Sequence, residues 1–363
     1  MTERTISRHW LNYQPMLLSD AAEDLTFTPR IQQLIILLDI ICLQDYEVAF
    51  PKKATGRPPI DRLAMLRAFV AKAVLNIVDT KFFVERLRLD YTLRRVCGFT
   101  AVRKIPCEAT FSNVFREIAE LDLAAFIHKT MIENYLGDRL QEHISRDATA
   151  IPAREKAVAK EAVVESTKEH TASLKKKRSE RIPTRIELQP YMTLDEMIED
   201  LPKPCNFGTK KNSKSKKETW RGYKLHLDVT DDGIPVSAIL TSASLHDSQV
   251  AIPLETMSSQ RIQSLYTLSD AGYVSVDIDD FVLSLGKVPI TAPKKPLNKA
   301  LIPLAPHQSR RFKHRTVAER ANSRIKDDFA GTGFHVRGHA KVFAHLMIGI
   351  VALCAEQIAR HIL

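Results

Sequence analysis

From about Thr28 to Tyr135 the apolar positions recur at helical spacing. Ile31, Leu34, Ile35 and Leu38 share one face, and Leu63, Leu66, Phe69, Val70 and Val74 share another just after Pro58-Pro59 and Asp61. Pro106 ends one segment, and Glu108-Ala109-Thr110 leads into a helix over Phe111 to Leu121. The rhythm changes near Leu140. Glu142 to Ile151 is β-branched and closed by Pro152, which predicts a strand. Residues 153 to about 217 have no sustained apolar period and read as an inserted segment with a short helix near Thr193 to Leu201.

Strand pattern returns at Tyr223 to Val229 and at Ile234 to Thr241, joined by the Asp231-Asp232-Gly233 hairpin turn. A helix near Ser248 to Ser258 follows, then a strand over Ser264 to Ser269, a helix over Val276 to Leu285 and a strand over Val288 to Thr291. A Pro/Lys-rich loop covers Pro293 to Phe312, and a helical region runs from Thr316 to the end. The order is strand, insertion, hairpin, helix, strand, helix, strand, helix. It predicts an α/β fold with a mixed sheet flanked by helices, behind an all-α N-terminal region. The predicted divisions are a tail over 1–27, a helical region over 28–139, an α/β domain over 140–335 with an insertion at about 153–219, and a C-terminal helix over 336–363.

Composition narrows the partner. The chain has 363 residues, with 53 Lys plus Arg against 43 Asp plus Glu, a formal charge of +10. That balance favours a polyanion, nucleic acid ahead of a membrane surface. Five cysteines without C-x-x-C pairing argue against a zinc ribbon or disulfide scaffold and for reduced thiols in a cytoplasmic protein. The apolar run Leu346 to Ala355 is too short to span a bilayer on its own and predicts a buried helix, with no membrane partner.

The excess charge is not spread evenly. Residues 203–221 carry a net +6 and residues 293–326 a net +9, so the rest of the chain is slightly acidic. The one acid in the second stretch is Glu319. Asp147 lies inside a predicted strand, and Asp270 closes another at its C-terminal end, where α/β sheets place ligands. A lone strand Asp or helix Glu is most often solvated or salt-bridged. Gathered at one sheet edge, such carboxylates form the all-oxygen cage that Mg²⁺ prefers. Two such ions promote in-line phosphoryl displacement.

The local words around these acids resemble the bacterial insertion-sequence transposases with a DDE triad. Phe312, Arg315, Glu319 and Lys326 form F-x2-R-x3-E-x6-K, similar to that family's Tyr-Arg-Glu-Lys signature. SRDATAI around Asp147, WRGYKLHLDVT from Trp220, ASLHDSQ around His246 and Asp247, LSDAGYVS around Asp270, AERANSRIKDDF, and HVRGHAKVFAHL from His335 follow in the family's order. The resemblance implies a ribonuclease-H-like catalytic domain with Asp147, Asp270 and Glu319 as catalytic metal ligands. It implies two Mg²⁺ ions, with Mn²⁺ as a substitute. Its partners are terminal inverted repeats and target DNA, bound by a homo-oligomer.

By the same resemblance Arg315 and Lys326 contact the DNA. The residues themselves add Phe312, Arg320, Trp220, Arg221 and Lys224 as candidate DNA contacts through charge and base stacking. Trp220 reads equally well as a strand's core aromatic, and His246-Asp247 reads as a pair near the metals or as the place where Asp247 or Ser248 caps a helix. The signature's Tyr is Phe312 here, which removes a phenolic hydroxyl and leaves a stacking ring. That substitution is the hint for one alternative, a catalytically silent DNA-binding derivative; a metal nuclease on the same fold without strand transfer is another. The Lys175-Lys176-Lys177-Arg178 cluster reads as a solvated face or a nonspecific DNA contact, and the twelve His show no metal-binding spacing.

Overall fold

The computed structural model describes residues 27–50, 60–157, 183–211, 217–294 and 302–363. The tail over 1–26, Arg57-Pro58-Pro59, the Lys175–Arg178 cluster and Asn212 to Lys216 lie outside these residues. The N-terminal region is helical: α1 (Pro29–Ile41), α2 (Arg62–Val74), α3 (Thr80–Leu89), α4 (Tyr91–Val96), α5 (Glu108–Glu120) and α6 (Leu123–Leu136). Its starts obey local chemistry. Thr28, Asp61, Asp79 and Asp90 each accept a hydrogen bond from a first-turn amide, satisfying donors that a helix leaves unpaired.

The sheet begins with β1 (Gln141–Pro152) and continues with β2 (Asn206–Lys211), β3 (Lys217–Thr230), β4 (Pro235–Ser242), β5 (Ser264–Ser269) and β6 (Val288–Thr291). β1 pairs antiparallel with β3 on one side and parallel with β5 on the other, and β5 pairs parallel with β6. β3 is long enough that its first half pairs with β2 and its second half with β4. The single-turn α7 (Arg185–Leu188) and α8 (Leu194–Asp200) precede β2. α9 (Ala251–Arg261) and α10 (Val276–Ser284) supply the crossovers around β5.

Three expectations are corrected. The segment before Trp220 is not only loop and short helix, because β2 forms an edge strand there. Two lysines and a glycine hide its alternation. The Pro/Lys-rich stretch is not loop to its end, since α11 (Pro306–Phe312) starts on a proline, whose fixed φ suits the first helical position. The C-terminal helical region is also interrupted, as α12 (Thr316–Asp328) ends at Phe329 and α13 starts only at His339.

α13 (His339–His361) is the spine that joins the two regions, packing on α1, α2, α5, α6 and β4. One apolar core runs through it, from Leu34 and Phe111 in the helices to Leu225 and Leu227 in β3. By length and composition α13 could cross a membrane. However, 78% of its apolar window is buried inside the protein, as a core helix requires. Arg324 of α12 reaches Glu356 of α13 at 2.9 Å, and the Asn76 amide donates to the Asp327 carbonyl at 2.6 Å. These contacts seat α12 against both the spine and the N-terminal helices.

Candidate active site

A constant offset of 123 residues relates β1 to its parallel partner β5, from Gln141 beside Ser264 to Ser145 beside Leu268. Continued by two residues, it brings Asp270 level with Asp147. Adjacent strands lie about 4.8 Å apart, so the two carboxylates start from neighbouring backbones. Asp270 stands where β5 ends, and its Oδ1 accepts from the Gly272 amide at 2.9 Å. That bond caps a single 3-10 turn and anchors the side chain.

Successive β1 residues face opposite ways. Arg146 points to the α9 side, where it donates to both Asp228 oxygens at 2.8 and 2.7 Å and to Glu255 at 2.8 Å. Lys287 and Thr267 complete the Glu255 shell, and Ser258 donates to Asp228. Burial opposes the Arg146 charge, but Asp228 and Glu255 outweigh it and hold the guanidinium protonated. Asp147 and Thr149 point the other way, beneath α12.

α12 presents a stripe at i, i+3 and i+7: Glu319, Asn322 and Lys326. Asn322 is buried and donates to Asp147 Oδ2 at 2.9 Å, while Lys326 donates to Thr149 Oγ1. Arg315, in the 3-10 turn before the helix, pairs with Glu319 and lies 4.0 Å from Asp147 Oδ1. The α12 stripe and the β1–β5 register together bring the three predicted carboxylates into one another's field. Burial pushes the Asp147 carboxyl up to about 6; Asn322 and Arg315 pull it down, while Asp270 and Glu319 raise it further.

That donor set suits a divalent cation. It is three carboxylates with hard oxygens, one of them raised to about 6 by its burial. The Arg315 guanidinium stands between two of them as a cation of the required sign. Burial also lowers the Lys326 ammonium, helped by Lys210 of β2, so two cations share the lip beside Asp147.

The remaining candidates are scattered around this cleft. Phe312 is half-buried at the end of α11, with the Arg315 guanidinium 5.7 Å from its ring centre. Arg320 and Arg221 are exposed. The Trp220 indole N–H donates to the Tyr223 carbonyl at 3.1 Å, and its ring lies so close over Gly208 that a Cβ there would sit 2.4 Å from it. Lys224 donates to Asp247 at 2.8 Å and to the Leu245 carbonyl at 2.7 Å. His246, rather than Asp247, caps the 3-10 turn that leads into α9.

Sequence reasoning passed over Asn322, whose signal was its spacing of three from Glu319. It also passed over Tyr273, buried with its hydroxyl unpartnered. Burial, together with Asp247, Asp147 and Asp270, drives the Tyr273 phenol well above its usual range. It therefore stays neutral under the cleft floor.

A mixed sheet with converging carboxylates under a helix that brings an arginine and a lysine to them is the architecture of a polynucleotide-processing α/β protein. Residues 140–355 match the family described as Transposase DDE domain, and residues 20–117 match a Transposase domain (DUF772). The chain belongs to the DDE transposases of the insertion-sequence type, with an N-terminal transposase domain ahead of the DDE domain. Members of that family act on DNA and generally use divalent metal ions. No curated protein and no solved structure matches the chain.

Proposed function

We propose that this transposase binds the terminal inverted repeats of its own element and performs strand cleavage followed by strand transfer. Asp147, Asp270 and Glu319 would hold two Mg²⁺ ions, with Mn²⁺ able to replace them. The observation that carries this reading is the convergence of the β1–β5 register and the first turn of α12 on Asp147. The strand order β4-β3-β1-β5-β6, with β3 antiparallel to β1, supports a ribonuclease-H-like fold for the α/β part.

When bound, the ions supply positive charge to the attacking and leaving oxygens of an in-line phosphoryl displacement. The chain's own residues do the rest. Asn322 fixes one Asp147 oxygen and leaves the other for ligation. Lys326 and Lys210 hold the DNA backbone at the lip, and Arg315, already balancing Asp147 and Glu319, turns to phosphate when the carboxylates gain cations. Phe312, Arg320, Arg221, Trp220 and Lys224 extend that surface, Phe312 by stacking alone.

In the first step a water oxygen bonds to phosphorus, the P–O3′ bond breaks, and the freed strand keeps a 3′-hydroxyl. In the second, that oxygen attacks a target phosphodiester and expels a target 3′-oxygen. Bond count is conserved, so neither a covalent protein intermediate nor a nucleotide cofactor is required. Two DNA ends must be held together for this, which calls for a homo-oligomer acting where the DNA lies, in the cytoplasm.

The test is product analysis on a labelled duplex carrying the element's terminal repeat, with target DNA and Mg²⁺. Free 3′-hydroxyl ends followed by joined strands are expected. Cleavage without joined strands would reassign the chain as a nuclease, and binding without cleavage as a silent derivative.

A further inference from the structure

Four residues before Asp147, on the same face of β1 and about 13 Å along the strand, His143 meets two residues from distant parts of the chain. Its ring is 2% exposed, and its Nδ1 lies 2.8 Å from Asp231 Oδ2 in the β3–β4 turn. The other Asp231 oxygen lies 3.3 Å from Nδ1 of His314, in the 3-10 turn that precedes α12. The two imidazoles stack with centroids 4.7 Å apart, and ligand atoms from all three residues fall within 4.8 Å of one another. His143 Nε2 and Asp231 Oδ1 are both buried and lack a hydrogen-bond partner.

We propose that His143, Asp231 and His314 form a second cation site, distinct from the three-carboxylate cleft, that takes a borderline ion of the zinc class. Two imidazoles and a carboxylate are a zinc-type donor set, whereas Mg²⁺ favours oxygen ligands throughout. Zinc–ligand bonds of about 2.0–2.1 Å give a tetrahedral edge of about 3.4 Å; the 2.8 and 3.3 Å gaps to the two Asp231 oxygens are near that edge, and ligand atoms spread over as much as 4.8 Å draw together on binding. With Nδ1 as the ligand atom, His143 Nε2 faces Glu142 at 3.7 Å, the type of outer carboxylate that orients a metal-bound imidazole. Arg311 steadies Glu142 at 3.1 Å.

The site has a clear mechanical consequence. It ties β1, the β3–β4 turn and the 3-10 turn ending in Arg315, and so fixes where α12 starts relative to Asp147. Without the ion, one Asp231 carboxylate serves two imidazoles. With it, three elements share one centre. The proposal stands on this geometry and does not depend on the strand-transfer reading.

The experiment uses the full chain, stripped with chelator and titrated with ZnCl₂ or CoCl₂. One equivalent of zinc per chain is expected, together with the visible bands of tetrahedral Co²⁺ and a rise in Tm on adding zinc. His314→Ala, at a half-exposed position that folding tolerates, should weaken zinc binding at least about 10-fold and abolish the Tm rise. His143→Gln should do the same, with circular dichroism to check its fold. A variant combining Asp147→Asn and Glu319→Gln should keep its zinc equivalent, because the carboxylate cleft is a different site. Absence of a zinc equivalent in the wild-type chain overturns the proposal. So does a zinc equivalent that survives His314→Ala or disappears from the Asp147/Glu319 variant.

Discussion

Asp147 decides most at the scale of single residues. Its carboxyl titrates at about 6, against an ordinary value of 3.8. The folded chain therefore binds more protons than the unfolded chain between those values, and stability falls as pH rises through that window. Asp147→Asn should raise stability at pH above about 7 by up to about 3 kcal/mol in the absence of metal, and by nothing at pH below about 3.5. Paired urea melts at the two pH values check this, and equal effects at both would refute it. Asn322→Ala removes a bond that favours the ionised form. The pH midpoint for metal-dependent cleavage should then move upward, and metal affinity should drop about 10–100-fold. A pH–rate profile reads that shift. The three carboxylates were legible in the sequence because each stands in a recognisable word. Asn322 and the His143–Asp231–His314 group were not, because their partners are 175, 88 and 83 residues away and only the fold brings them together.

Elements behaved according to how clean their patterns were. β5 and β6 fall on the residues their alternation predicts, and β1 and β4 within a residue of theirs. β3 runs six residues further toward its N-terminus than the apolar run Tyr223 to Val229, and most of that extension pairs only with the exposed, lysine-bearing β2. Edge strands of this kind carry charge that blunts further pairing, which is also what conceals them. β1 is held from behind by Arg146, whose loss would leave the buried Asp228 without that cation and Glu255 with Lys287 alone. Arg146→Ala should cost about 3–5 kcal/mol in chemical denaturation. A loss below about 1 kcal/mol would mean that the network does not anchor the strand. Gly222 sits where β3 passes from pairing with β2 to pairing with β4. It adopts φ +150°, and an added Cβ would sit 2.1 Å from the Ile151 carbonyl oxygen. Gly222→Ala should therefore lower Tm, and an unchanged melt would show that β1 can give way there.

Across the whole molecule, the division of charge seen in the sequence acquires a location. Lys210 lies on the edge strand β2 and Lys326 on α12, and the two meet beside Asp147 from stretches more than a hundred residues apart. The N-terminal helices and the sheet share one core through α13, so the sequence boundary near residue 139 is a change of pattern without a break in packing. That continuity was not readable from periodicity, which reports each element's own buried face but not which neighbour covers it. If Lys210 and Lys326 hold phosphates, replacing both with Ala should make the log–log salt dependence of DNA affinity shallower by about 2. An unchanged slope would move the DNA elsewhere.

The most direct measurement is Mg²⁺-dependent cleavage of a terminal-repeat duplex by the wild-type chain and by Asp147→Ala, Asp270→Ala and Glu319→Ala singly, with DNA binding measured in parallel. Cleavage by the wild type is expected, with each variant slowed more than about 100-fold while still binding DNA. A single variant cutting at close to the wild-type rate would contradict the three-carboxylate centre.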